Sequence, residues 1–326
     1  MSKKLFLILL LGVIILAFTS NTLASTEPVK KPDNYPTKTI EFIVPAPAGA
    51  AIDIPSRVLV EILDLGKPVV IVNRPGASQI IGTTQAANAK PDGYTIVLGA
   101  NGNFMIQPHL TDLTYGPEDF RHLSMLHTPE PQALVVVPDS PYKTFEDLEV
   151  KLKAGEELNY SSGNPGSVGH LASVSLLQQM NAKVEFVPFT GTAEGIAALL
   201  GKHIDFYVVD CAEVVPRLGQ LLPLVVLSEE RNVSLPDVPC AKEFGYADMV
   251  FKGYKWIAAH KDTPDDIVNW IKQQIDIAIE SEEYQSYLMK SYGRGVKIMT
   301  EKEVTDEIFL GYQKFGELLE SLGMKK

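Results

Sequence analysis

The chain has 326 residues, of which 45% are hydrophobic and 21% charged, a balance that suits a globular protein large enough for two cores. Its formal charge is −11, which excludes capture of nucleic acid or an anionic membrane by bulk attraction. An anionic ligand would have to be held by local dipoles and N–H groups. Two cysteines, Cys211 and Cys240, are too few for a zinc site but enough for one disulfide if their Cα atoms come within about 7 Å.

Met1 to Ala24 reads as a secretory signal, with Lys3 and Lys4, an apolar run from Leu5 to Phe18, and Thr22-Leu23-Ala24 as the cleavage site. Fourteen apolar residues are short for a bilayer span, which needs about 20. The mature chain, with 27 basic and 40 acidic residues, is expected outside the cytoplasm, in the periplasm, with no membrane insertion of its own. Residues 25–35 are polar and Pro-containing and read as a loose tether.

Strands and helices then alternate, which argues for mostly parallel sheets flanked by helices. Residues 39–44 form the first expected strand and 53–63 a helix with Ile54, Val58, Leu59 and Ile62 on one face. A second strand (67–72), a small-residue helix (79–89), the turn Lys90-Pro91-Asp92-Gly93 and a third strand (94–98) follow. A second set begins with strand 132–137 and a capping-box helix opened by Thr144 and Asp147. It continues with strands 184–189, 204–209 and 224–227, and a further strand at 254–259. From Thr263 the chain reads as helical, with an Ile267, Ile271, Ile275, Ile279 stripe and a capping box at Thr300 and Glu303.

Within the second set, residues 158–180 pass from a short strand through Ser162, Gly163, Asn164, Pro165, Gly166 and Ser167 into a helix. A Gly- and Ser-rich loop at a helix start leaves unpaired N–H groups that can hold a carboxylate. Ser167 capping its own helix is the simpler alternative, and this stretch alone supports both. Four more strand ends carry comparable loops. The first is Pro45 to Asp53, where Ala46, Ala48, Gly49 and Ala50 let a ligand approach the backbone, and Asp53 is either a ligand contact or an N-cap. Asn101, Gly102 and Asn103 offer amide donors and acceptors. Phe189, Thr190 and Gly191 offer a hydroxyl and an N–H, with Thr190 or Thr192 as an ordinary helix cap in the alternative. Asp210 places a carboxylate at the last of these edges. In parallel sheets, ligands sit beyond the carboxyl ends of strands, and all five loops fall there.

Catalytic patterns fail. Gly166-Ser167-Val168-Gly169 is not a nucleophile elbow, and Gly201-Lys202 lacks the rest of a phosphate loop. His170 stands a helical turn after Ser167, but an activated pair usually needs an orienting third group. Trp256 and Trp270 read as core residues.

Taken in order, several stretches resemble the extracytoplasmic solute receptors of tripartite tricarboxylate transporters, the Bug-type family. They include Val44-Pro45-Ala46-Pro47-Ala48-Gly49 with Asp53, Asn73-Arg74-Pro75-Gly76-Ala77 with Gly82, and Pro91-Asp92-Gly93-Tyr94. Asn159-Tyr160-Ser161-Ser162-Gly163, Val187-Pro188-Phe189 and Leu235-Pro236-Asp237-Val238-Pro239 continue the series. The resemblance implies a type II periplasmic-binding-protein fold, two α/β domains with a ligand cleft between them. It places residues 36–131 with 257–326 in one domain and 132–256 in the other, with crossings near 130–132 and 255–257 acting as the hinge. It implies a non-enzymatic monomer, without cofactor or metal, that closes on a small organic acid and hands it to membrane transporter subunits. A sensory receptor for a membrane signalling protein, or a secreted serine hydrolase, is the alternative. Three positions depart from the family pattern. Ala48-Gly49-Ala50-Ala51 replaces consecutive glycines, Thr190 stands where a lysine is usual, and Cys211 stands where an asparagine often follows the strand-end Asp. These changes favour a monocarboxylate or a weakly charged acid over citrate.

Overall fold

Residues 28–50, 52–189, 191–246, 249 and 251–326 are described in a computed structural model; the expected signal segment, Met1 to Ala24, lies outside them. The alternating pattern forms two mixed sheets. The first contains β1 (Ile40–Val44), β2 (Val69–Asn73), β3 (Thr95–Ala100), β4 (Phe120–Met125) and β11 (Lys255–His260), in the order β2-β1-β3-β11-β4. The second contains β5 (Glu130–Val136), β6 (Asn159–Ser161), β7 (Glu185–Phe186), β8 (Phe206–Asp210) and β10 (Lys252–Gly253), in the order β10-β5-β8-β6-β7. A sixth strand, β9 (Leu222–Leu227), also pairs with β5.

One strand in each sheet runs against the rest. β1 is parallel to β2 and β3, whereas β11 is antiparallel to β3 and β4. β6 is parallel to β7 and β8, whereas β5 is antiparallel to β8, β9 and β10. The reversed strands, β5 and β11, are those the chain enters directly from the other sheet. A short connection delivers the chain to the carboxyl end of the new sheet, so the entering strand must run back. Both crossings therefore lie at the same end as the five strand-end loops.

Helices cover the sheets. On the first, α1 (Asp53–Ile62), α8 (Asp265–Glu280) and α9 (Glu282–Tyr292) bury Leu59, Ile271, Ile275, Ile279 and Tyr284 against Ile40, Phe42 and Leu98. The expected i, i+4 stripe of α8 is the face that is buried, apart from half-exposed Ile267. A larger core cluster joins Phe104, Trp256 and the last helix, α10 (Glu301–Ser321), to apolar residues of α5 (Val168–Gln179) and β8. Burying such side chains contributes about 1.5–3 kcal/mol each, which is what holds the layers together.

β4 escapes a reading by apolar periodicity because Arg121 and His122 interrupt it. Both polar groups are paired by other elements. Arg121 Nε and Nη2 each donate to Glu301 at 2.7 Å, and Trp256 Nε1 donates to His122 Nδ1 at 2.9 Å. The described part of the expected loose tether is docked instead. Val29 N donates to Gln273 Oε1 at 2.9 Å, and the buried Tyr35 hydroxyl donates to the Gly93 carbonyl at 2.7 Å. Cys211 and Cys240 are both buried and free. Cys240 pairs with Val226, Val226 with Ala133, and Ala133 with Val209, which puts the two thiols some three strand spacings apart, about 14 Å. No disulfide can span that.

Candidate ligand-binding site

The first loop is organised from behind by Asp53. Its expected role as N-cap is taken by Ile52, which supplies no side-chain hydrogen bond. The fully buried Asp53 carboxylate instead accepts from Gly49 N at 2.7 Å, Arg57 Nε at 2.6 Å and Asn73 Nδ2 at 2.8 Å. Asn73 Nδ2 also donates to the carbonyl of buried Ala46 at 3.0 Å. Burial pushes the Asp53 carboxyl up, but the hydrogen bonds from Arg57, Asn73 and Gly49 outweigh it and hold the group below the ordinary carboxylate range. Ala48 and Gly49 are left at the exposed tip, with Ala50 half-buried. Gly49 has a φ of 79°, a left-handed conformation that favours glycine, and a Cβ there would meet nothing within 4 Å.

The loop after β2, absent from the expected site, lies against the third. Ala77, Ser78 and Gln79 have φ values of 46°, 52° and 78°, three consecutive non-glycine residues in the left-handed region. Each costs of order 1 kcal/mol or more, and such strain collects at functional loops. Gln79 leads into α2 (Ile80–Ala87), whose Thr83 hydroxyl donates to the Gln79 carbonyl at 2.9 Å. Gly82 is needed here because a Cβ would fall 2.8 Å from the Arg74 carbonyl and 2.9 Å from Pro45 Cβ.

The third loop forms a single wide helical turn, Asn101–Ile106. Asn103 is buried and braces it, accepting from Ala100 N at 2.8 Å and donating to Thr83 Oγ1 at 2.8 Å. Asn101 points the other way. Its Nδ2 donates to the Lys252 carbonyl at 3.1 Å and its Oδ1 accepts from Tyr254 N at 2.7 Å, fastening the loop to the second crossing. Gly102 lies between them, with the Gln79 carboxamide resting above it; a Cβ there would stand 3.1 Å from Gln79 Oε1.

In the second sheet, Ser167 is an N-cap. Its hydroxyl accepts from His170 N at 3.1 Å and donates to the Ser162 carbonyl at 3.1 Å. His170 Nδ1 accepts from Gly166 N at 3.2 Å, so the two side chains face other partners and not each other. Ser162 itself is 8% exposed, and its hydroxyl has no partner among the described residues. Gly163 takes a φ of 87° and its carbonyl accepts from Phe189 N at 3.0 Å, joining the fourth and fifth loops; Asn164 is half-exposed at the rim. Thr190 lies outside the described residues. Gly191 begins α6 (Thr192–Leu200) with no side-chain cap, and a Cβ on it would meet nothing within 4 Å. The Thr192 hydroxyl is engaged with Tyr207.

Asp210 joins the two halves at the floor. Gln132 Nε2 donates to its Oδ1, and the buried Lys255 ammonium stands 3.4 Å from its Oδ2. Lys255 Nζ also donates to His127 Nε2 at 3.2 Å, and His127 Nδ1 donates to the Thr128 carbonyl at 2.7 Å. Beside this cluster Glu130 accepts from Arg294 Nη2 at 2.6 Å and Asn232 Nδ2 at 3.1 Å. Ser162, Gln132 and Gly169 meet: a Cβ on Gly169 would lie 3.1 Å from Ser162 Cβ and 3.3 Å from Gln132 Oε1. Gln79, Gly102, Asn101, the 252–254 crossing, Asp210, Gln132 and Ser162 thus form one unbroken line of neighbours, of which Asn101, Gln132 and Ser162 are buried.

Sequence reasoning named Asn101, Gly102, Ser162 and Asp210 as site residues but not Gln79, and it marked Asn73 only through a family motif and Gln132 and Lys255 only as parts of the crossings. Their contacts here are set by strand pairing or by a neighbouring loop. Two surface grooves elsewhere, around Lys38, Lys90 and Tyr94 and around Val174, Leu177 and Val184, adjoin none of these loops. Among the described residues no three His, Cys, Asp or Glu side chains cluster as metal ligands, and no helix is long and apolar enough to cross a membrane.

Two α/β sheets exchanging strands at a pair of crossings, with glycine- and amide-rich loops gathered over them, define the solute-binding class of proteins. The chain belongs to the tripartite tricarboxylate transporter receptor family, whose model matches residues 57–324. It is 30% identical to BugT of Bordetella pertussis over 261 residues, covering 76% of this chain and 78% of that protein. The solved structure of the periplasmic binding protein BugD superposes with a TM-score of 0.80 at 26% identity, covering 90% of this chain and all of that one. MatC from Rhodopseudomonas palustris, solved with bound malate, shares the fold at a TM-score of 0.78 and 23% identity, over 87% of this chain and 100% of that one.

Proposed function

We propose that this chain is an extracytoplasmic receptor that takes a small organic acid between its two sheets and delivers it to a tripartite transporter in the membrane. One observation carries the reading. Buried polar groups are nearly always paired, yet among the described residues Ser162 Oγ in the second half and Gln79 Oε1 in the first have no protein partner, nor does Trp270 Nε1 on α8. Ser162 and Gln79 belong to strand-end loops, at opposite ends of the line described above. The uncapped first turn of α6 supplies further N–H donors and the favourable end of a helix dipole, which suits a carboxylate.

In this reading the first sheet with its helices forms one lobe, expected as residues 36–131 with 257–326, and the second forms the other, expected as 132–256; β5 from Glu130 belongs to the second and β11 from Lys255 to the first. Contacts from both lobes to one ligand favour the closed state by the difference in affinity between closed and open forms. Ala48, Gly49, Ser162, Gly163, Asn164 and Gly191 meet the ligand, while Asp53, Asn103, Ser167 and Asp210 hold the loops that do. Membership of a receptor family supports a binding role over catalysis, and the assignment of Ser167 to a cap removes the residue a hydrolase reading would rest on.

A thermal-shift screen of the mature chain against mono-, di- and tricarboxylates is the test. A ligand at 100 times its Kd raises stability by about 2.7 kcal/mol, a shift of a few degrees for a chain of this size. An acid that does so, and whose effect falls away in Ser162→Ala, supports the proposal. A panel that leaves the melting temperature unmoved at millimolar concentration overturns it.

A further inference from the structure

The reading of the site as a carboxylate receptor does not say which acids it distinguishes; Gln79 does. Its carboxamide lies over Gly102, close enough that a Cβ there would stand 3.1 Å from Gln79 Oε1. Its backbone is fastened on the far side by Thr83, whose hydroxyl donates to the Gln79 carbonyl at 2.9 Å and accepts from Asn103 at 2.8 Å. The second and third loops are therefore one braced platform, and the side chain is presented from it with a φ of 78°, a conformation a glutamine adopts only at a cost. At the end of this arrangement is an amide oxygen that is buried and, among the described residues, unpaired.

A buried acceptor without a donor costs free energy, of the size of a lost hydrogen bond. In the orientation the carboxamide takes, a carboxylate cannot relieve it, because carboxylate oxygens are acceptors too. A ligand N–H or O–H can. A charged ammonium would be matched by a carboxylate, but both oxygens of the carboxylate in this line, Asp210, are engaged, by Gln132 and by Lys255. The neutral amide oxygen suits a neutral hydroxyl.

We infer that Gln79 is a specificity-determining residue that accepts a hydrogen bond from a hydroxyl group of the ligand, so that the chain selects hydroxy acids over the same acids lacking the hydroxyl. This rests on the proposed function above. Sites built to hydrogen-bond a substrate hydroxyl reject the analogue without it, since the protein group is then left unpaired.

The test is calorimetric titration of the mature chain with matched pairs: lactate and propionate, 3-hydroxybutyrate and butyrate, malate and succinate, mandelate and phenylacetate. The expected result is that, in at least one pair, the hydroxy acid binds about tenfold or more tightly than its partner. In Gln79→Met, which keeps the bulk and removes the acceptor, that ratio falls to within about twofold while the deoxy acid binds as before. Gln79→Gly, which suits the left-handed backbone, gives the same loss of discrimination and shows that it does not come from a disturbed turn. A wild-type preference that survives in both variants, or a preference for deoxy or amino acids, overturns the role of Gln79 and leaves the receptor reading standing. Absence of binding by every acid overturns both.

Discussion

Asp53 shows how much the first loop depends on a residue behind it. Its carboxylate is buried and accepts from a backbone N–H, a guanidinium and a side-chain amide at once. Removing it in Asp53→Ala leaves Arg57 and Asn73 without their acceptor, at an expected cost of about 3 kcal/mol in urea unfolding, with weaker ligand binding as the first loop loosens. Because its folded-state acidity is raised, its stabilisation is complete above the ordinary aspartate pKa and is lost as pH falls through the lower, folded value. Asp53→Asn should therefore flatten the acid limb of the stability profile below about pH 4. Ser162 predicts the opposite pairing of effects. Its hydroxyl satisfies nothing among the described residues of the free protein, so Ser162→Ala should leave the melting temperature unchanged or slightly raised while weakening acid binding about tenfold. A fall in stability without a fall in affinity would show that the hydroxyl serves the fold.

At the scale of elements, the helix after the fourth loop owes its start to Ser167. Ser167→Ala removes the acceptor for His170 N and should cost about 1 kcal/mol by chemical denaturation. Binding should weaken only through the Ser162 carbonyl that Ser167 holds. The junction of β3 and β11 is less tolerant. Trp256 lies on Gly99 so closely that an added Cβ would come within 2.2 Å of its ring, and Trp256 is itself fully buried and bonded to His122. Gly99→Ala should cost about 3 kcal/mol or more, since neither the ring nor the strand has room to give. The same reversed strand begins at Lys255, so the damage should reach the crossing and lower acid affinity as well.

For the molecule as a whole, the charged cluster at the crossings, Lys255 with Asp210 and Arg294 with Glu130, ties the two sheets together. Two buried imidazoles are kept neutral: burial beside Trp256 pushes His122 down to about 4, and burial with Lys255 close by in the cluster holds His127 well below its ordinary value. Below the ordinary histidine pKa of about 6.5 the unfolded chain takes up protons that the folded chain refuses. Stability should therefore fall between pH 7 and pH 5, by up to about 1.4 kcal/mol per pH unit for each imidazole, in urea titrations across that range. A profile flat over this interval would mean that the cluster opens to solvent. Closure on a ligand should appear in small-angle scattering as a smaller radius of gyration with a saturating acid.

Much of this was legible before any coordinates. A strand followed by a small-residue loop and a helix is a local pattern, so the loops at Pro45, Asn101, Ser162 and Phe189 and the alternating sheets could be read from residue order alone. Turn glycines and helix caps are local in the same sense, as Gly49, Ser167 and the Thr300–Glu303 box show. What local pattern could not say was which polar side chain would find a partner, because partners come from distant parts of the chain. Asp53 looked like a cap and became the anchor of a loop, through Asn73 on the next strand. Lys255 looked like the edge of a strand and became the counterion of Asp210, 45 residues away. Gln79 carried no signal at all until the third loop was laid beside it. Pairing over long separations is decided only when the sheets assemble, and among the described residues that assembly leaves Ser162 Oγ and Gln79 Oε1, in strand-end loops of the two sheets, unmatched.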